Sequence, residues 1–314
     1  MVIGQPVLWL MGAVGFALRG GLLLLMASIV VLPTPIELRM LIGANLGSTG
    51  LTPGFLAFLA GGAVLAALLV LAVLALLAYF ELATFERLVR DPEAVRPDEG
   101  RHLKAPDAAQ RRALLAGLVL IQLLTLAALV VAALPALNAA LALAHQEIIR
   151  PSLGGMIYVR VLNGVREPLF ILLAGLVLSE MVSSLATRRL LVRGFGLGAK
   201  RPPRGVVESA RAPVRAVIGS LWRPLRRPIS TLATLILVWS ATLAVVAPLS
   251  WALTAAWTPV RNAYLSPAAA ADAQAISAMI VVTLALAAIW LGAVLLGGFV
   301  SALRGALWST DALR

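Results

Sequence analysis

Between Met40 and Phe80 the chain runs for 41 residues without one charged side chain. A helix or strand packed on one face in water needs a polar opposite face, and a run of this length has none, so its solvent is lipid. Crossing about 30 Å of hydrocarbon takes about 20 apolar residues at 1.5 Å rise each. Further charge-free stretches cover 113–146, 168–179, 228–260 and 273–303. Backbone amides in hydrocarbon must be paired within the protein, which leaves helices or a closed barrel. A barrel strand alternates apolar and polar residues over about ten positions, whereas these runs are continuously apolar. The fold class is therefore all-α, a polytopic integral membrane helical bundle, with six spans expected at about 7–32, 54–80, 113–134, 168–187, 229–249 and 275–303. At 61% hydrophobic and 13% charged residues, the rest of the chain agrees with that class.

Three proline landmarks order the spans: Val31-Leu32-Pro33, Ala133-Leu134-Pro135 and Val246-Ala247-Pro248. Each follows a long apolar run and precedes a weaker apolar segment and a second run that returns to arginine. Reading each proline as the stop of a span gives three helical hairpins, at about 7–80, 113–187 and 229–303, in one membrane domain of residues 1–314. The landmarks are 102 and then 113 residues apart, too unequal for a strict repeat period. Duplication, as in many transporters, and the regularity that membrane insertion itself imposes both account for the pattern.

Orientation follows the distribution of Lys and Arg over the loops. The connectors at 81–112 and 188–227 hold seven and eleven, whereas 33–53, 135–167 and 248–274 hold one, three and one. Both termini and the two connectors (81–112, 188–228) are thus expected in the cytoplasm of a cell (inner) membrane protein, with the proline-bearing tips outside. The net charge of +12 belongs to these membrane flanks and calls for no nucleic acid. No Lys or Arg precedes Arg19, which argues against a cleaved leader, and the absence of cysteine excludes disulfides and thiolate ligands.

The second connector is the more distinctive. After the flexible Gly194-Phe195-Gly196-Leu197-Gly198, the residues Val214, Val217, Ile218, Leu221, Trp222 and Leu225 recur at helical spacing. Arg211, Arg215, Arg223, Arg226 and Arg227 flank that stripe, and Pro213 suits a first helical turn. An interfacial amphipathic helix over about 211–227 is expected, either docking on anionic lipid headgroups or a partner, with Trp222 in the contact, or serving as a plain flank of the next span. Pro224 would shorten or kink it. The aromatic residues Tyr158, Trp251, Trp257, Tyr264 and Trp308 fall near span ends, where they anchor in headgroups.

Charges within spans point to function or to internal pairing. Arg19 falls inside the first expected span, Glu81 ends the second, and Glu180 lies two turns before Arg188. Pairing of Arg19 with one of the glutamates would neutralise both; a proton or cation path through Glu180, and a Glu180 carboxylate that snorkels to the surface and is functionally silent, are the alternatives. His145 and Glu147 form an isolated His-x-Glu on the outer side, with His102 across the membrane, so no metal or haem ligand set is formed. Gly194 to Lys200 lacks the hydroxyl and the following helix of a phosphate-binding loop, so no cofactor is expected. The Gly61-Gly62 pair and Gly292, Gly297 and Gly298 would allow close helix contacts, with Gln122, Trp239 and Ser240 available for interhelical hydrogen bonds.

The functional expectation is a transport-related, permease-like component for an apolar or lipid-like substrate, energised by a separate ATPase or other membrane subunit. The alternative is a non-catalytic subunit of a larger membrane complex. An enzyme is the weakest expectation, since nothing beyond Glu147 and Glu180 offers an acid or base.

Overall fold

A computed structural model describes residues 6–21, 40, 46–47, 50–90, 106–149, 163–195, 206–265 and 273–313. Helix α1 (Pro6–Phe16) runs into a π-helical turn (Ala17–Gly21). A two-residue antiparallel ladder, β1 (Leu46–Gly47) with β2 (Gly50–Leu51), precedes α2 (Pro53–Arg90). Then come α3 (Ala108–Ile149), α4 (Arg166–Gly194), α5 (Val206–Leu221), the single turn α6 (Arg223–Arg226), α7 (Pro228–Leu265) and α8 (Ala273–Leu313). Five of these, α2, α3, α4, α7 and α8, are long and apolar enough to cross a membrane, the pattern of a multi-pass membrane protein. The apolar part of the first helix, Val7–Arg19, is shorter, and positions 22–39, with Pro33, lie outside the described residues.

Two of the three proline stops are not stops. Pro135 lies inside α3, and Pro248 and Pro259 lie inside α7, so these helices continue past the ends expected at 134 and 249. Proline removes one backbone hydrogen bond, at a cost of about 3 kcal/mol. Around Pro135 the neighbours are nearly all Ala and Leu, the best helix formers, and opening the chain in lipid would strand several amides and carbonyls instead. In α7 the hydroxyls of Thr242, Ser250, Thr254 and Thr258 each donate to the carbonyl four residues back, at 2.7, 2.8, 2.8 and 3.2 Å, which satisfies these hydroxyls within the helix in an apolar medium. The 42 residues of α3 rise about 63 Å, twice the hydrocarbon thickness.

Packing divides the helices into two groups. In one, α3 and α4 run antiparallel in close contact: Gly117 faces Leu190, Gly194 faces Leu114, and the Ser179 hydroxyl donates to the Thr125 carbonyl at 3.1 Å. The C-terminal part of α2 and the helix α5 complete its core, in which Ala78, Leu82, Phe85, Leu118, Ile121, Ala186, Leu191 and Ala216 are buried together. In the other, α8 packs against both α1 and α7. The α1–α8 crossing depends on glycine: a Cβ on Gly298 would stand 2.5 Å from the Trp9 carbonyl oxygen and 2.6 Å from the Ala13 nitrogen. Leu253 and Ala293 seal the α7–α8 contact. Most of the buried residues lie towards the end where Arg188 and Arg304 stand, called here the arginine end. The first half of α2 packs on nothing described: Phe58 and Leu65 are 73% and 69% exposed, and no atom lies within 4 Å of a Cβ placed on Gly61 or Gly62.

The amphipathic segment is longer and broken. Its helix begins at Val206 rather than about 211, so Pro213 is interior, and it ends at Leu221; Trp222 then turns the chain into α6, with Pro224 in the first turn of that helix. Pro213 is accommodated because it packs against Gly117 of α3, where a side chain would collide with its ring. Residues 81–90 and 188–194, expected as connector, continue α2 and α4 as helix, while 91–105 and 196–205 lie outside the described residues.

Candidate charge cluster at the arginine end

Five ionisable side chains from four separate helical segments meet at the arginine end. Glu81 of α2 is the hub. One carboxylate oxygen pairs with Arg19 and the other accepts from Arg188 Nη2 at 2.6 Å. Arg304 of α8 pairs through Nε with Glu180 of α4 and donates through Nη2 to Ser184 Oγ at 2.9 Å. The Ser184 hydroxyl in turn donates to Glu180 Oε1 at 3.4 Å.

Local geometry explains how each group gets there. Side chains of a helix lean towards its N-terminus. The Phe16 ring already faces Gly297, yet the Arg19 guanidinium, three residues further on, reaches back to Ser301 Oγ at 3.4 Å. The π-helical turn that carries Arg19 is a local widening of the kind often found at functional positions. On α4, Glu180, Ser184 and Arg188 stand at i, i+4 and i+8, one polar stripe facing the bundle interior. On α8, Ser301, Arg304, Gly305 and Trp308 form a matching stripe.

Burial is deep. The Arg188 side chain is 3% exposed and Glu81 12%, and the Phe85 ring centroid lies 5.9 Å from Arg188 Cζ. A cavity of about 30 Å³ opens at the centre, lined by Arg19, Glu81, Gln122, Arg188, Arg304 and Trp308 among others. Arg188 Nε and Nη1, Trp308 Nε1 and Gln122 Oε1 are buried without a hydrogen-bond partner among the described residues. Among the described residues three guanidinium groups stand against two carboxylates, which leaves one positive charge unbalanced.

The three intramembrane charges singled out from the sequence, Arg19, Glu81 and Glu180, all belong to this cluster, Arg19 being bonded to Glu81 rather than to Glu180. Arg188 and Arg304 do not stand as simple flanks: both are working members of it. The i, i+4, i+8 spacing of Glu180, Ser184 and Arg188 was the available signal for the first. Nothing in sequence spacing joins Arg304 to Glu180.

The basic connector divides between two roles. The ridge Pro213, Ala216, Ser220 and Arg223 is buried against the bundle, whereas Val214, Ile218, Leu221, Trp222 and Leu225 are exposed, from 42% to 73%. The expected apolar stripe thus faces away from the protein, except Val217, which packs on the core. Arg211, Arg215, Arg226 and Arg227 are exposed beside it. Arg223 is not on that surface: it is buried, donates to the Asp311 carbonyl and lies 3.3 Å from Asp311 Oδ2, because the break after Leu221 turns it inward. Ser230 also donates to Asp311, and Arg111 pairs with Glu86 at 2.5 Å on the opposite flank.

No family model, curated protein or solved structure matches the chain. Its chemistry must therefore be judged from the residues alone. His145 is exposed on α3, and His102 lies outside the described residues. The donor set of the cluster, rich in guanidinium N–H groups and with both carboxylates already engaged, repels cations and favours anions.

Proposed function

We propose that this chain is a transport-related, permease-like component of the cell (inner) membrane, handling an apolar or lipid-like substrate, with both termini and the charge cluster on the cytoplasmic side. The observation that carries the reading is the bipartite construction: α3 with α4 and α5, and α8 with α1 and α7, pack extensively, contact between the two sets is smaller, α2 touches both, and the Arg19–Glu81 and Arg304–Glu180 pairs bridge them. A carboxylate held by two arginines at once can release one and keep the other, which gives two arrangements of the same groups. Two cavities among the described residues measure about 30 and 20 Å³, small beside a bulky hydrophilic solute, whereas the apolar helix faces of α2, α7 and α8 are exposed, which suits lipid-like molecules. The loop bias in Lys and Arg supports the orientation. The exposed stripe of α5, flanked by Arg211, Arg215, Arg226 and Arg227, suits anionic headgroups.

The test is reconstitution. Liposomes carrying a fluorescent anionic phospholipid should lose their inner-leaflet protection against an impermeant quencher when the chain is present, alone or with an ATPase that co-purifies with it. Absence of flux over a panel of lipids and apolar solutes, with no co-purifying ATPase, would sink the reading. The second reading, an assembly subunit, draws on the bare first half of α2, where Gly61 and Gly62 have no neighbour among the described residues. Photo-crosslinkers at Phe58 and Leu65 that capture one reproducible protein in cells would favour it; capture of lipid alone would count against it.

A further inference from the structure

We infer that the cavity at the centre of the charge cluster is a binding site for one small monovalent anion of halide size. The inference goes beyond the transport reading and stands whether or not the chain moves a substrate.

Three observations converge. First, the charges do not balance: among the described residues Arg19, Arg188 and Arg304 face only Glu81 and Glu180, and a single unbalanced charge buried among apolar helices is unfavourable until a counter-charge joins it. Second, the hydrogen bonds do not balance either. Arg188 gives Nη2 to Glu81 and turns one face to Phe85, but its Nε and Nη1, although 97% of the side chain is buried, meet no acceptor among the described residues. Trp308, 1% exposed, also lines the cavity with an unanswered indole N–H. Gln122 can turn its amide to present NH2 to the same space. Third, the size fits. About 30 Å³ is at least twice the roughly 10–15 Å³ that one water-sized particle needs, which leaves room for a single ion larger than water.

The two carboxylates do not oppose such an ion. Both oxygens of Glu81 are already covered by guanidinium groups, and Glu180 is held by Arg304 and Ser184. Water could fill the volume and accept the free N–H bonds, but it would leave the charge uncompensated. A metal cation would meet three arginines. A monovalent anion answers the charge and the donors together.

The experiment uses the full chain in an uncharged detergent, with thermal unfolding followed at constant ionic strength while chloride or bromide replaces gluconate. The expected result is a saturable rise in the unfolding midpoint with either halide, as mass action requires for a ligand of the folded state. Trp308→Phe removes one N–H and keeps an aromatic, if smaller, ring, and should raise the half-saturating halide concentration roughly tenfold. Arg188→Gln leaves two arginines against two glutamates and should abolish the halide response. Should Arg188→Gln fail to fold, Trp308→Phe still decides the matter. Equal midpoints in halide and gluconate, or an unchanged half-saturation point in Trp308→Phe, would overturn the proposal.

Discussion

Replacing Glu81 by glutamine is the sharpest single test of the charge cluster. The side chain keeps its shape and loses its charge, and both Arg19 and Arg188 lose their carboxylate. Arg188 is 3% exposed and has no other anionic partner among the described residues, so the change leaves a buried guanidinium uncompensated. Breaking a buried pair by removing one partner costs about 3–5 kcal/mol. The control is Glu86→Gln, because Arg111, its partner, is 48% exposed and can turn to water, which limits the loss to about 1 kcal/mol. At roughly 2 °C per kcal/mol for a chain of this size, Glu81→Gln should lower the unfolding midpoint by about 6–10 °C and Glu86→Gln by about 2 °C or less. Tryptophan fluorescence is the suitable readout, since Trp308 lines the cavity. All variants should be heated at one scan rate, because membrane proteins commonly unfold irreversibly. Adding Arg188→Gln to Glu81→Gln should recover at least half of the loss, by removing the stranded charge. Equal shifts for Glu81→Gln and Glu86→Gln, or no recovery in the double variant, would refute the account of the cluster as a coupled buried unit.

Gly298→Leu should destabilise by about 1–3 kcal/mol or more through collision with the α1 backbone at Trp9 and Ala13, whereas Gly61→Leu, with open space around it, should leave the purified chain as stable or slightly more so; parallel thermal scans separate the two. The chain has no cysteine, so single introduced cysteines report sidedness directly. Asn262→Cys and Arg226→Cys, both at exposed positions, should be labelled by an impermeant thiol reagent from opposite faces of the membrane, and labelling from the same face would reverse the assigned orientation.

The membrane class was legible because it needs only run length: the charge-free stretches at 54–80 and 275–303 fall within α2 and α8. Helix ends were not. Pro135 and Pro248 carry a strong local signal for termination, but the medium penalises an open turn more than a missing hydrogen bond, and that comparison depends on depth in the membrane, which one residue does not encode. The cluster was half visible. Arg19, Glu81 and Glu180 announce themselves as charges in apolar surroundings, while Arg188 and Arg304 look like ordinary flanks until helices far apart in sequence are brought side by side. For α5, spacing identified the apolar stripe, but not that Pro213, Ala216 and Ser220 would take the protein-facing side and leave Ile218 and Leu225 outward. That choice is set by the shape of the α3 surface at Gly117, where only a helix carrying small residues or a flat ring can settle.

Helices already in lipid gain nothing from hiding leucine against leucine, because the hydrocarbon tails are equally apolar, so specific association must come from close backbone packing and from polar contacts. The sequence is frugal with both. Close packing supplies the α1–α8 crossing through Gly12 and Gly298 and the α3–α4 contact through Gly117, Gly175 and Gly194. Neither of these glycine contacts joins the two helix groups. What does is the buried apolar contact of Leu185 with Val238 and Trp308, together with the cluster: Arg19 with Glu81 ties the end of α1 to α2, and Arg304 with Glu180 ties α8 to α4, while Arg188 with Glu81 ties α4 to α2 within the first group. An arginine or glutamate alone near the middle of an inserted helix costs about 2.5–3.5 kcal/mol, a penalty relieved only when its partner helix arrives. The ion pairs therefore select which apolar helices meet, and in what register, among surfaces that would otherwise accept almost any neighbour. It follows that the arginine end should be the part most sensitive to loss of a single charge, while the first half of α2, which carries neither glycine contact nor charge pair among the described residues, should tolerate substitution.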